Sequence, residues 1–169
     1  DVSEEALKLA ERRADKERPF YASAPEFLLQ SAHNLELATG YFDGVVEANV
    51  LQHVPRAERE KAFQEITRVL KPGGLFAGYM FAEVATHPQY KAEWVEDDPG
   101  SLVFSGGKPY ELGGIGLTHF FSRRELKRLL SGFHSVDLSI LKYSLPSEEA
   151  QRRGFDFYTN RMWAVYALR

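Results

Sequence analysis

Apolar and polar positions along the chain follow two periods, and their order is the first guide to the fold. The run Phe42 to Gly74, FDGVVEANVLQHVPRAEREKAFQEITRVLKPGG, reads as a buried strand, a polar turn, an amphipathic helix and a stop. The strand covers Phe42 to Ala48, centres on Val45 and Val46, and ends among the polar residues Glu47 and Asn49. Ala62, Phe63, Ile66, Val69 and Leu70 then recur at the helical period. Pro72 is expected to end that helix and Gly73-Gly74 to turn the chain. Leu75 to Phe81 is almost wholly apolar, as a strand covered on both faces should be.

Other segments carry clear signals too. Ser3 is a good N-cap, Glu4 and Glu5 suit a helix start, and Ala6, Leu7, Leu9, Ala10 and Ala14 form a stripe. A helix is therefore expected at once, with no strand before it. Ser122-Arg123-Arg124-Glu125 forms a capping box, with Phe121 and Leu126 as a hydrophobic staple. Leu126, Leu129, Leu130 and Phe133 bury the helix that follows, and Val136, Leu138 and Ile140 alternate in a strand from about Ser135 to Tyr143. A last strand runs from Met162 to Leu168. Pro19 to Ser23 reads as a short strand, and Phe27, Leu28, Leu35 and Leu37 suggest a short helix on the sheet edge. Residues 82–120 show no period and many aromatics, prolines and glycines, which predicts a long loop or lid. Its Tyr90, Trp94, Phe104, Tyr110 and Phe120 either line a flat apolar pocket or anchor the loop to the core.

Composition narrows the classes. The 169 residues are 44% hydrophobic and 27% charged, which fits a single globular domain spanning 1–169. A net charge of −3 with interspersed signs disfavours nucleic acid as the main partner, since phosphate binders carry a basic excess. There is no cysteine, which excludes disulfides and thiolate metal sites and suits a cytoplasmic protein. The five histidines do not pair at metal-ligand spacing, so no metal site is expected. No apolar run approaches a membrane span.

The strand FD-x-V with its polar end, then Leu51 and His53, then Arg68-Val69-Leu70-Lys71-Pro72-Gly73-Gly74, resembles the class I S-adenosylmethionine-dependent methyltransferases. That resemblance implies a Rossmann-like α/β fold, with a mostly parallel sheet, an antiparallel last strand and helices on both faces. It also implies S-adenosyl-L-methionine as cofactor. Asp1, in D-V-S-x-E-A-L, matches the acidic strand end that grips the ribose hydroxyls, and Val2 would lie against the adenine. Ser23 stands where the family often has an acid near the adenine amino group, with the amide of Ala24 beside it. The family's Gly-rich turn has no counterpart in these residues. The family's N-terminal strand and helix are thus expected to be absent here, leaving a partial domain, with a homodimer or completion by N-terminal residues expected.

Methyl transfer from a sulfonium needs mainly positioning, so no universal catalytic residue exists to be read off. Asn49 and Glu47 are candidates to neighbour the methionine amino group, because an amide and a carboxylate suit an ammonium. His53, just past the strand end, is the candidate base, since histidine ordinarily titrates near neutrality. His119 and Tyr79 follow as weaker candidates, and Asp43 is taken as structural. The leading reading is methyl transfer to a small-molecule acceptor. The alternatives are a non-catalytic methyltransferase-like scaffold or activating subunit and a nucleotide-dependent oxidoreductase, the last disfavoured by Lys71-Pro72-Gly73-Gly74.

Overall fold

Two adjacent valines, Val45 and Val46, flanked by polar residues form a strand at the expected bounds. In the computed structural model, which describes residues 1–17, 23–82, 91–106, 114–154 and 159–169, β1 spans Phe42–Ala48. It pairs in parallel with β2, Leu70–Phe81. β7, Thr159–Leu168, lies antiparallel between β2 and β6, Ser135–Ser144, giving the order β1-β2-β7-β6. Three strands therefore share one direction. The last strand in sequence runs against them, yet it sits inside the sheet rather than at its rim, and parallel pairing is confined to β1 and β2.

The helix α2, Arg56–Val69, stops before Pro72 because the residue preceding a proline is driven out of the helical region. Leu70 is already extended, and β2 begins there, five residues earlier than its apolar run suggests. The register jumps from Phe42↔Leu70 to Gly44↔Leu75, so Lys71 to Gly74 bulge out of the ladder. The bulge grips the other end of the chain: Gly73 N donates to Arg169 O at 2.7 Å, and Arg169 N donates to Gly74 O at 3.0 Å. Gly73 has φ +78°, and a Cβ on Gly74 would meet Lys71 O at 2.9 Å and Asp43 O at 3.1 Å, so glycine is required at both.

α2 and α3, Arg123–Leu129, supply the core on one sheet face. Phe63 stands edge-on to Phe76 and to Phe121, both at 6.2 Å between ring centres, and Trp163 Nε1 donates to Phe121 O. The opposite face is open among the described residues: Val46, Leu75, Tyr79, Tyr166 and Leu168 are all exposed there. The expectation of helices on both faces is thus met on one face only by the described elements. The first helix, α1 (Glu4–Glu17), buries no residue.

Two segments differ from expectation. No helix forms over 25–41; an isolated bridge between Ser31 and Asn34 is its only ladder contact. Here side chains from α2 replace helical hydrogen bonds, with Arg68 donating to Leu35 O and Leu37 O and Glu65 accepting from Leu35 N. Residues 82–120 hold a three-stranded antiparallel sheet, β3 (Lys91–Trp94), β4 (Ser101–Gly106) and β5 (Gly116–His119), rather than a loop without structure. Phe104 and Phe120 anchor it in a small second core, where Phe120 stacks on Phe81 at 5.6 Å. Trp94 remains exposed. Tyr90, Tyr110 and most of the strand expected at Pro19 to Ser23 lie outside the described residues. A short helix, α4 (Ser147–Arg152), completes the elements among the described residues.

Phe76 is wholly buried at the centre of this packing. Phe76→Ala should destabilise the protein by about 3–5 kcal/mol in urea unfolding. A loss under about 1 kcal/mol would contradict the core described.

Candidate active site

The polar end of β1 builds the site. Glu47 Oε1 accepts from Val50 N at 2.6 Å and from Leu51 N at 3.0 Å, which caps the single 3-10 turn Leu51–His53. The chain reaches that turn through Asn49, whose φ of +61° is a left-handed conformation that asparagine tolerates better than most residues. Asn49 Oδ1 accepts from Gln52 Nε2, leaving its amide nitrogen on an exposed residue. Glu47 is 5% exposed. Burial pushes its pKa up, outweighing the backbone amides of Leu51 and Val50 that pull it down. Among the described residues, its buried Oε2 has no hydrogen-bond partner.

An open cleft of about 750 Å³ faces this turn. Asp1, Val2 and Leu28 lie on it, with Val50, His53 and Glu58. Asp1 Oδ1 accepts from Ser3 N, and Ser3 Oγ accepts from Ala6 N, so the expected N-cap forms. The Asp1 backbone donates to Leu28 O and accepts from Gln30 N, which sets Leu28 to Gln30 alongside it. The cleft therefore gathers three of the seven candidate residues, Asp1, Val2 and His53. Asn49 and Glu47 adjoin it through Val50. Ser23 and Ala24 are exposed and do not line it, because Leu28 and Gln30 take the place beside Asp1.

His53 is held from the three-stranded sheet: its Nδ1 lies 2.9 Å from Leu117 O, and its ring stands edge-on to Phe81 at 6.5 Å. The other histidines take lesser places. His33 contacts Ser31 and Glu58, His134 is exposed, and His87 lies outside the described residues. Tyr79 stands on the open sheet face, hydrogen-bonded to Tyr166, whose pKa is raised first by that bond. Asp43 pairs with Lys71 at 2.7 Å on the surface, and that hydrogen bond lowers its pKa.

His119 is fully buried and belongs to a polar cluster that no sequence motif announced. Its Nε2 donates to Glu125 Oε2 at 2.8 Å, and its Nδ1 lies 2.8 Å from Ser101 Oγ. Ser101 Oγ donates to Asp98 Oδ2, and Arg59 donates to Asp98 Oδ1 at 2.7 Å and to Val54 O at 3.0 Å. The Arg59 guanidinium also lies over the Phe121 ring. The capping box is thus half formed: Ser122 Oγ accepts from Glu125 N, while the Glu125 carboxylate turns to His119 instead of back to the cap. The one sequence signal was positional. Arg59 falls three and four residues before Ala62 and Phe63, on the buried stripe of α2.

Residues 1–78 match the family model described as a methyltransferase domain. A mitochondrial 2-methoxy-6-polyprenyl-1,4-benzoquinol methylase of Caenorhabditis elegans is 27% identical over 153 residues, covering 87% of this chain and 53% of that protein. The chain thus spans about half the length of this curated relative. A S-adenosylmethionine-dependent methyltransferase of Methanosarcina mazei superposes with TM-score 0.70 at 22% identity, covering 100% of this chain and 79% of that one. The 1,6-didemethyltoxoflavin-N1-methyltransferase of Burkholderia thailandensis, solved with 1,6-didemethyltoxoflavin and S-adenosylhomocysteine, superposes with TM-score 0.54 at 14% identity, covering 92% and 56%. The fold is that of the Rossmann-like methyltransferases. The match to the methyltransferase domain model thus covers a little under half of the chain, and the shared fold extends over all of it. No helix among the described residues is long and apolar enough to cross a membrane.

Burial pushes the Asp98 pKa up, but the hydrogen bonds from Arg59 and Ser101 and the Arg59 charge outweigh it and hold the carboxyl below its usual range. A depressed folded-state pKa gives stability that is present above the unfolded value, about 3.9, and is lost as pH falls through the lower folded one. Asp98→Asn should remove that acid-side dependence in pH-resolved urea unfolding. At neutral pH it should cost about 3–5 kcal/mol, because it strands a buried guanidinium. An unchanged acid limb would contradict the role given to Asp98.

Proposed function

We propose that this chain holds S-adenosylmethionine in the cleft between Asp1 and the end of β1 and transfers its methyl group to a small-molecule acceptor. The observation that carries the reading is Glu47: a buried carboxylate whose Oε1 fixes the cleft wall at Val50 while Oε2 lacks a partner. An unsatisfied buried carboxylate oxygen is costly, and a ligand ammonium would satisfy it. Asp1 suits the ribose hydroxyls, with Oδ1 steadied by Ser3 N, and Val2 gives an apolar contact for the adenine. Asn49 and Glu47 would share the methionine amino group. Ser23 and Ala24 have no place on the cleft wall, so the adenine edge falls to Leu28 and Gln30 in this reading.

S-adenosylmethionine, when bound, supplies an electrophilic methyl group on a sulfonium. This chain's residues bind, orient and accept a proton: His53, on the cleft wall, takes the proton of an acceptor that must lose one. The three-stranded sheet over 82–120 acts as the acceptor-side cover, with Trp94 exposed upon it. The net charge of −3 and this aromatic cover favour a small molecule over nucleic acid. The Burkholderia neighbour, whose structure holds 1,6-didemethyltoxoflavin and S-adenosylhomocysteine, supports the same class. The lack of cysteine supports a cytoplasmic setting.

Calorimetry of the full-length protein with S-adenosylmethionine should give saturable binding. Glu47→Gln should weaken it about tenfold or more, the worth of a hydrogen bond to a charged group. No heat of binding to the full-length protein would contradict the reading and favour a non-catalytic scaffold.

A further inference from the structure

We infer that His119 is a positioning residue: through β5 it holds His53 in the tautomer a base requires. A carbonyl oxygen can only accept, so the contact between His53 Nδ1 and Leu117 O places the ring proton of neutral His53 on Nδ1. Nε2 is then left with its lone pair, the form that can take a proton from an acceptor. Thr118 Oγ1, 3.4 Å from the same Nδ1, offers only a longer contact, so the Leu117 carbonyl sets the choice.

The carbonyl in turn depends on where β5 lies. β5 is four residues long, and two residues beyond Leu117 comes His119. That ring is fixed on both sides, by Glu125 of α3 at Nε2 and by Ser101 of β4 at Nδ1. Ser101 is tied through Asp98 to Arg59 of α2, the helix that follows the His53 turn. His119 and Ser101 are both fully buried, so water does not compete for these bonds. The chain of contacts runs from the main domain, through the three-stranded sheet, and back to a ring on the cleft wall. It explains why a fully buried histidine sits two residues from the carbonyl that His53 uses. The catalytic meaning rests on the proposed role of His53 as base, whereas the tautomer is measurable without any acceptor.

The test is nitrogen-15 NMR of the full-length protein labelled at histidine, in which ring correlations distinguish Nδ1–H from Nε2–H. The neutral His53 ring should be Nδ1–H in the wild type. In His119→Ala the Nε2–H form should become populated while thermal unfolding stays cooperative. His119→Gln, whose side-chain amide can still donate to Glu125, should restore Nδ1–H. If His119→Ala does not fold, Ser101→Ala, which removes the contact to His119 Nδ1 and the bond to Asp98 but leaves Glu125 on His119, should shift the same balance. A wild-type ring protonated at Nε2 would overturn the inference. So would an unchanged tautomer in folded His119→Ala, or in Ser101→Ala where the former does not fold. Loss of the base role alone, seen as full activity in His53→Ala, would leave the tautomer result standing and overturn only its catalytic meaning.

Discussion

One buried cation joins the two parts of this molecule. Arg59 is 0% exposed, yet its guanidinium must keep its charge, so the chain has to bring it partners. They come from four places: Val54 O at the end of the His53 turn, Asp98 in the turn before β4, the Phe121 ring ahead of α3, and Glu125 of α3 at 4.0 Å. A pair so deeply buried adds little net stability over an apolar substitute, but it penalises any arrangement that separates its members. The three-stranded sheet is therefore held against α2 by the cost of leaving a charge alone. The small aromatic core of Phe81, Phe104 and Phe120 supplies the apolar contact beside it.

That docking matters because the sheet, though it does not line the cleft, holds a ring on the cleft wall. The polar end of β1, with Glu47 capping the turn and Asn49 bending the chain, carries His53 to the cleft wall. The three-stranded sheet reaches across to fix the His53 ring from Leu117. Asp1 and Val2 close the far side. Under the proposed function, sulfonium methyl transfer would ask chiefly for orientation, and this arrangement would supply it.

Much of the fold was legible because local signals and tertiary packing agree. β1 lies at the bounds that its central valines and polar end predict, and the Ser3 and Ser122 caps form. Where they disagree, a distant partner has taken over. β2 starts early because Gly73 and Gly74 exchange hydrogen bonds with Arg169, which no local pattern reveals. Phe27, Leu28, Leu35 and Leu37 do not make a helix because Arg68 and Glu65 satisfy that backbone from outside. β3 of the three-stranded sheet escaped notice because it is exposed throughout and so shows no alternation. Among candidate residues, His53, Asp1 and Val2 do meet on one cleft, whereas His119 is a core residue, and only the buried spacing of Arg59 hinted at why.

Hydrogen–deuterium exchange of the full-length protein with Arg59→Met tests the central claim most directly. Leu102 to Phe104 of β4 and Leu117 to His119 of β5 should lose protection while Phe76 to Met80 of β2 and the body of α2 keep theirs. Equal protection of β4 and β5 in wild type and variant would show that the sheet docks without Arg59, and would contradict the account.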